Sequence, residues 1–518
     1  MRVSATAIRT PALCLSVLVL CLLPGCAVLP APGPQAHDPA LPPAEFGTVR
    51  EVAATLSDLH GAEHSTLLAL PDNREAMLWR LMLIDEARSS LDLQYFIWDS
   101  HAASALLFDR LLAAADRGVR VRLLVDDLLL DANDSNLAAV SAHPHFEIRL
   151  FNPGRLRRTR FGRVGEMAVK FRQLNRRMHN KLLIVDGSMA IAGGRNVGDE
   201  YFGLGSKFNF RDLDVLVAGA VVPELSVSFD QYWNNPISYP TSAIDPDIDP
   251  QVLIDRHARL DVYLAEHAGA LSAFPMQPEP WADDLWRLLE WMTPGDAHFL
   301  QDIPEEVTGR EDRLVDQIVD QGAPSRQEII LVAPYLIPTD GLMSRIAQRA
   351  SEGLRIKILT ASMASNNHTS AHSHYKKYRR RLLELGAELY EFRAQPSETV
   401  RAISDTPPFH AEFISLHIKA IVGDRNRCTV GSLNLDPRAM VINTENVLYI
   451  RSAEFCGDMA EMLEALMQPE NAWRVELDGN GRMTWTSSEG TVDRQPARSG
   501  GQRVSDFFFR LLPLESQL

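Results

Sequence analysis

A chain of 518 residues is longer than one ordinary core requires and points to two to four folding units. With 46% hydrophobic and 23% charged residues it reads as globular rather than disordered. A formal net charge of −15 argues against bulk electrostatic attraction to nucleic acid, although a local basic patch is compatible with it.

In chain order, residues 1–25 read as a signal peptide. Arg2 and Arg9 flank its start, and the apolar stretch 11–23 is too short to span a bilayer comfortably. Leu23-Pro24-Gly25-Cys26 resembles a bacterial lipobox, which implies cleavage before Cys26 and lipidation of its thiol. Ala27 is not the aspartate associated with inner-membrane retention, so the sorting pattern leans towards the outer membrane. Residues 26–70 form a tether and lead-in. Within it Pro30, Pro32, Pro34, Pro39, Pro42 and Pro43 should keep residues 30–43 extended at ~3.1 Å per residue, a reach of ~40 Å. No later apolar run reaches the ~18 residues that a membrane-spanning helix needs. Beyond the leader and lipobox, Cys428 and Cys456 are free to pair in an oxidising compartment, and no CxxC spacing supports zinc or redox motifs.

The body is one pattern written twice. In the first copy (71–235) an amphipathic helix at 74–88 precedes an apolar strand at 91–98. A helix at 104–117 follows, Gly118 ends it, and strands come at 119–126 and 146–151. The second copy (311–518) repeats the order: strand 328–335, helix 341–350, strand 354–360, helix 375–385, strand 387–392. Alternating strands and helices predict an α/β fold of two similar lobes about a pseudo-twofold axis, with mixed, mostly parallel sheets. Nothing in the inter-lobe insertion, 236–310, suggests what it does.

Each copy ends in the same constellation. His179, Lys181, Asp186, Gly193, Gly194 and Asn196 are matched, spacing for spacing, by His417, Lys419, Asp424, Gly431, Ser432 and Asn434. On a strand, residues two apart share a face, so each histidine points the same way as its lysine. Two imidazoles, two ammonium groups and two amides around one cleft suit a phosphodiester. Lysines and the phosphate-binding asparagines would hold the anionic oxygens, one histidine would attack phosphorus, and the other would protonate the leaving oxygen. Asp186 and Asp424 complete the catalytic motif, with structural hydrogen bonding their expected part in it. Cationic side chains supply the phosphate clamp, so neither metal nor cofactor is expected.

These paired motifs resemble those of the phospholipase D superfamily. Residues 176–181, 193–199 and 212–215 are similar to the C-type bacterial cardiolipin synthases, and the resemblance runs from about residue 70 to the end. It implies a phosphatidyltransferase that makes cardiolipin from phosphatidylglycerol and phosphatidylethanolamine. His179 would be the nucleophile, forming a phosphatidyl-histidine, and His417 the general acid. Carboxylates that orient the histidines should follow each motif, and Asp212 and Glu445 fit. Gly194 departs from the commoner serine, though a small residue still suits the position. Membrane phospholipids are then the partners, nucleic acid is not expected, and the setting is a lipid-anchored protein with a periplasm-facing body. Cardiolipin synthesis is expected at the inner membrane, in tension with Ala27. Water as acceptor would give a phospholipase D with identical catalytic residues. A nuclease of the superfamily is disfavoured by the lipobox and acidic balance, and a non-catalytic envelope scaffold by the two intact motifs.

Two further features invite a reading. His368, His372 and His374 could suggest zinc, yet their Asn, Ser and Thr neighbours favour a mobile loop near the cleft. Residues 155–177 hold nine basic residues against Glu166 alone, and Phe161, Val164, Ala168, Phe171 and Leu174 follow helical spacing. That predicts a basic amphipathic helix able to lie on anionic lipid.

Overall fold

The computed structural model describes Leu29 and residues 36–130, 134–154, 156, 165–166, 170, 174–244, 249, 251–304, 313–322, 324–512 and 515–517. The first lobe contributes β1 (Ser65–Leu70), β2 (Ser90–Trp98), β3 (Arg120–Leu130), β4 (Phe146–Phe151), β5 (Leu182–Val185), β6 (Met189–Gly193), β7 (Phe208–Arg211), β8 (Asp214–Gly219) and β9 (Ser238–Pro240). The remaining strands are β10 (Thr293–Gln301), β11 (Glu328–Val332), β12 (Arg355–Ala361), β13 (Glu388–Phe392), β14 (Phe413–Leu416), β15 (Ala420–Gly423), β16 (Arg427–Gly431), β17 (Asn446–Arg451), β18 (Ala472–Leu477), β19 (Met483–Ser487) and β20 (Gly490–Val492).

Pairing gives one continuous order, β9-β4-β3-β2-β5-β6-β8-β1-β10-β17-β16-β15-β11-β12-β13-β18-β19-β20. The order reads alike from both ends towards the β1–β10 contact, which is the signature of the duplicated lobe. The inter-lobe insertion serves as a splice, because its last strand, β10, joins the two halves edge to edge. Helix Thr48–His60 and β1 lie before residue 71, yet they join the first lobe's core and sheet.

The expectation of mostly parallel sheets is corrected. Within this sheet, only β2-β3-β4 and β11-β12-β13 run parallel, each connection passing through helix. The other pairs are antiparallel, and after each motif a tight hairpin rather than a helical crossover connects β5 to β6 and β15 to β16. At the β5–β6 turn Asp186 and Gly187 both have positive φ, 52° and 59°; at β15–β16 Asp424 and Arg425 have 48° and 55°. Two consecutive left-handed residues match the twist of such a hairpin, and aspartate tolerates that conformation.

The second half of the expected tether lies against the body. Asp38 N–H donates to Asn234 Oδ1 (2.9 Å) and Ala40 N–H to Asp230 Oδ2 (2.7 Å), while Trp233 Nε1–H donates to Asp38 Oδ2 (3.0 Å). A free reach of ~40 Å is thus not available to it. A core cluster shared by both lobes, including Leu182, Val215, Phe229, Ile330, Leu359 and Ile418, holds the halves together.

Candidate active site

The histidines do not sit within regular strands, as their spacing suggested; they lie just before β5 and β15, where the backbone changes partners. His179 N–H donates to Thr444 O (3.0 Å), and Met178 bridges Thr444 in parallel. His417 N–H donates to Arg211 O (2.8 Å), at the end of the two-stranded parallel β7–β14 sheet, which takes one strand from each lobe. Each histidine segment therefore runs beside the other lobe's carboxylate segment.

The side chains follow. His179 Nδ1 is 2.7 Å from Glu445 Oε2, and His417 Nδ1 is 2.5 Å from Asp212 Oδ2, with all four groups buried. The carboxylates were expected to follow each motif, and they do in sequence, but the pairs are crossed between lobes. A bond through Nδ1 fixes each ring and leaves Nε2 as the nitrogen for chemistry. Lys181 Nζ donates to His179 O, and Lys419 Nζ donates to His417 O (2.6 Å), so each lysine is fastened beside its histidine.

The two pairs are not equivalent. Burial would raise Asp212, but the charge and hydrogen bond of His417, with Lys419 and Arg195, bring it down to about 2. Burial pushes Glu445 up to about 8, against the pull of Lys181 and Lys419. Burial, together with Lys181, Lys419 and Arg438, holds His179 well below its ordinary value. Burial and Lys419 also lower His417, to about 3, with Asp212 opposing them. The lysines are themselves lowered by burial, Lys181 to about 7 and Lys419 to about 8.

The asparagines differ too. Asn196 Oδ1 accepts from Ile97 N–H (3.1 Å), and its Nδ2 donates to Tyr201 Oη (2.9 Å), which places it as a brace for the cleft wall. Asn434 Oδ1 is buried and meets no donor among the described residues, and only the N–H groups of this amide could serve a phosphate oxygen. Asp186 and Asp424, grouped with the catalytic motif, make the structural hydrogen bonds expected of them. Asp186 accepts from the N–H groups of Arg88, Ser89 and Ser90, and Asp424 from those of Arg326, Gln327 and Glu328. They tie the β5–β6 and β15–β16 turns to the starts of β2 and β11.

Gly194 is stricter than expected. A Cβ there would stand 2.2 Å from Asp212 Oδ1, so any side chain displaces the carboxylate. At the matching place Ser432 Oγ–H donates to Glu445 Oε2 (2.5 Å). Sequence reasoning missed other supports. Phe96 packs edge-on to His179, and Tyr201 and Phe210 pack on His417. Buried Arg195 donates to Asp212 O and pairs with Asp214, and Asp302 Oδ2 accepts from Glu445 N–H (3.1 Å). Arg195 stands between Gly194 and Asn196 of the first motif, and that position was the one signal available.

The three histidines at 368–374 do not converge. His372 meets Asp506 and Arg379, His374 meets Leu512 O, and His368 packs on Tyr335; the segment holds helix Thr369–Tyr375 rather than a loop. The predicted basic helix, with Phe161, Val164, Ala168 and Phe171, lies outside the described residues, as does Cys26.

Comparison with known proteins adds an independent line. The profile of a family described as "Cardiolipin synthase, PLD-like domain" matches residues 81–233 and 319–467, one match per lobe. The chain belongs to this phospholipase D-like family. Cardiolipin synthase C of Escherichia coli K12 is 33% identical over 461 residues, spanning 87% of this chain and 95% of that protein. The major cardiolipin synthase of Bacillus subtilis 168 is 25% identical, over 74% of this chain and 65% of its own. In fold, the crystal structure of phosphatidylserine synthase from Haemophilus influenzae Rd KW20 matches with a TM-score of 0.55 at 13% identity, covering 91% and 100% of the two chains. The protein is a phospholipid phosphatidyltransferase of the phospholipase D superfamily.

Proposed function

We propose that this enzyme joins two phospholipids into cardiolipin, with phosphatidylethanolamine as donor and phosphatidylglycerol as acceptor, through a phosphatidyl group carried on His179. The observation that carries the assignment of roles is the inequality of the two crossed pairs. Burial lowers His417 to about 3 against the pull of ionised Asp212, and the negative charge of a bound phosphodiester adds to that of Asp212 in favouring a proton on this imidazole. Glu445 is the weaker anion, and its partner His179 stays neutral, as a nucleophile must.

In the first step His179 Nε2 forms a bond to phosphorus as the bond to the ethanolamine oxygen breaks, and His417 gives that oxygen its proton. In the second, His417 takes the proton of the acceptor's glycerol hydroxyl, whose oxygen bonds phosphorus as the N–P bond breaks. Lys181 and Lys419 stabilise the added negative charge in both, beside a phosphate whose own charge favours their ammonium forms. Cysteine pairing supports an oxidising compartment: Cys428 and Cys456 form a disulfide with Cα atoms 5.6 Å apart. With Cys26 lipidated, the enzyme would work from a membrane anchor on that side.

Purified protein given isotope-labelled phosphatidylethanolamine and phosphatidylglycerol in mixed micelles should yield cardiolipin and free ethanolamine by mass spectrometry. The same spectra should show a diacylglycerol modification on Cys26. His417→Asn should accumulate phosphate-linked lipid on the peptide bearing His179. Phosphatidic acid as the sole product would make water the acceptor and overturn the transferase assignment.

A further inference from the structure

Helix Gly500–Leu511 is turned inside out. Its polar residues face the body: Gln502 Nε2–H donates to Met363 O, and Asp506 accepts from Lys376 and pairs with His372. The opposite face carries Val504, Phe507, Phe508 and Leu511, which are 56%, 56%, 62% and 65% exposed. Their spacing, i, i+3, i+4 and i+7, is that of one continuous helical stripe. Single exposed apolar residues are ordinary, but four on one stripe, two of them aromatic, mark an interaction surface. Arg503 and Arg510 are exposed on the flank of that stripe.

The segment that follows this helix reaches the neighbourhood of the reacting groups. The helix packs on Thr369–Tyr375, and just beyond it Glu515 pairs with Lys377. Gln517 then accepts from Asn175 Nδ2 (2.8 Å), four residues before His179. The carbonyl of Gln517 accepts from Arg438, whose charge acts on His179. A phospholipid that brings its phosphate to His179 keeps its acyl chains in an apolar phase, so that phase must lie beside the mouth of the cleft.

We propose that Val504, Phe507, Phe508 and Leu511 insert into an anionic phospholipid bilayer and set the cleft over the headgroups, a role resting on the phosphatidyltransferase reading. Arginines at the edge of an apolar stripe sit at headgroup depth and attract anionic lipid. That local attraction matters for a chain of net charge −15, which an anionic surface otherwise repels. A second copy fits the stripe less well, because a two-fold contact would bring Arg503 and Arg510 against their own kind.

The test uses the full chain and vesicles of phosphatidylglycerol and phosphatidylethanolamine. Amide exchange at residues 504–511 should slow on adding vesicles. Phe507→Ser, Phe508→Ser and Leu511→Ser combined should abolish that protection. The triple variant should raise KM for vesicle lipid roughly ten-fold or more, with turnover of a monomeric short-chain phospholipid unchanged. Ile254→Ser with Val262→Ser, also exposed apolar positions, should do neither. Unprotected 504–511, or equal loss on both substrates, overturns the proposal. So does a dimer that the triple variant splits while vesicle binding persists. Protection of 504–511 in a protein that turns over neither lipid would leave docking intact and remove the phosphatidyltransferase reading instead.

Discussion

Two lysines set the pH behaviour of this site. Burial lowers Lys181 to about 7 and Lys419 to about 8, far under the usual lysine range, so both are poised to lose charge just above neutrality. An anionic phosphodiester restores the ammonium forms once bound, because its charge offsets what burial costs them. The free enzyme should therefore lose kcat/KM as pH rises through 7 to 8, while kcat holds to higher pH. Steady-state rates from pH 6 to 10 decide it, and a flat kcat/KM to pH 10 would show that the lysines keep their protons without substrate. Which residues come together in the cleft was legible in the sequence, since two copies of one spacing put the same donors in the same places. What each neighbour tolerates was not. Gly194 looked like a loose substitute for serine, yet the space beside it is filled by Asp212 Oδ1, a fact of packing that no local pattern carries.

Among elements, the connections with a period were readable and those without one were not. The helices of the β-α-β runs announce themselves by apolar spacing, and both parallel triplets appear where expected. Strands β5, β6, β15 and β16 are only four or five residues long and mostly buried, so no alternation distinguishes a hairpin from a crossover. The C-terminal helix shows the converse limit: its stripe is visible in sequence, but periodicity cannot say that it faces outward. The disulfide belongs at this scale too. It clamps β16 to helix Ala453–Ala465 across a separation of 28 residues, inside the second lobe's share of the common core. Closing a loop of that length removes unfolded-chain entropy worth about 3.5 kcal/mol at 25 °C. Reduction, or Cys428→Ala with Cys456→Ala, should lower unfolding free energy by about that amount in urea titrations. An unchanged midpoint under reducing conditions would mean that packing of the two elements suffices.

At the scale of the whole molecule, the crossing of the histidine–carboxylate pairs makes the two lobes one catalytic unit. Read along the chain, Asp212 belongs with His179, and Glu445 with His417. In space Asp212 holds His417 and Glu445 holds His179, because β7 pairs with β14 and Met178 pairs with Thr444 across the pseudo-twofold axis. Sequence could not reveal this, since either pairing satisfies the same spacings. The difference is measurable through the reaction's two steps. If His179 carries the phosphatidyl group and His417 moves the proton, Asp212→Asn removes the charge that stabilises the His417 imidazolium. Attack by His179 still proceeds slowly, as another proton source can serve the leaving group, but deprotonation of the acceptor hydroxyl fails. The lipid adduct should therefore accumulate on His179 in Asp212→Asn, as in His417→Asn, although Asp212 and His179 share a lobe. Glu445→Gln should instead leave His179 poorly oriented and yield little adduct. Turnover in both carboxylate variants should fall by about two to four orders of magnitude, the range typical of such supports. Quenched single-turnover samples analysed by peptide mass spectrometry separate the cases. Adduct in Glu445→Gln and none in Asp212→Asn would reverse the assignment of the two histidines, and identical behaviour would mean that the pairs act as one proton reservoir.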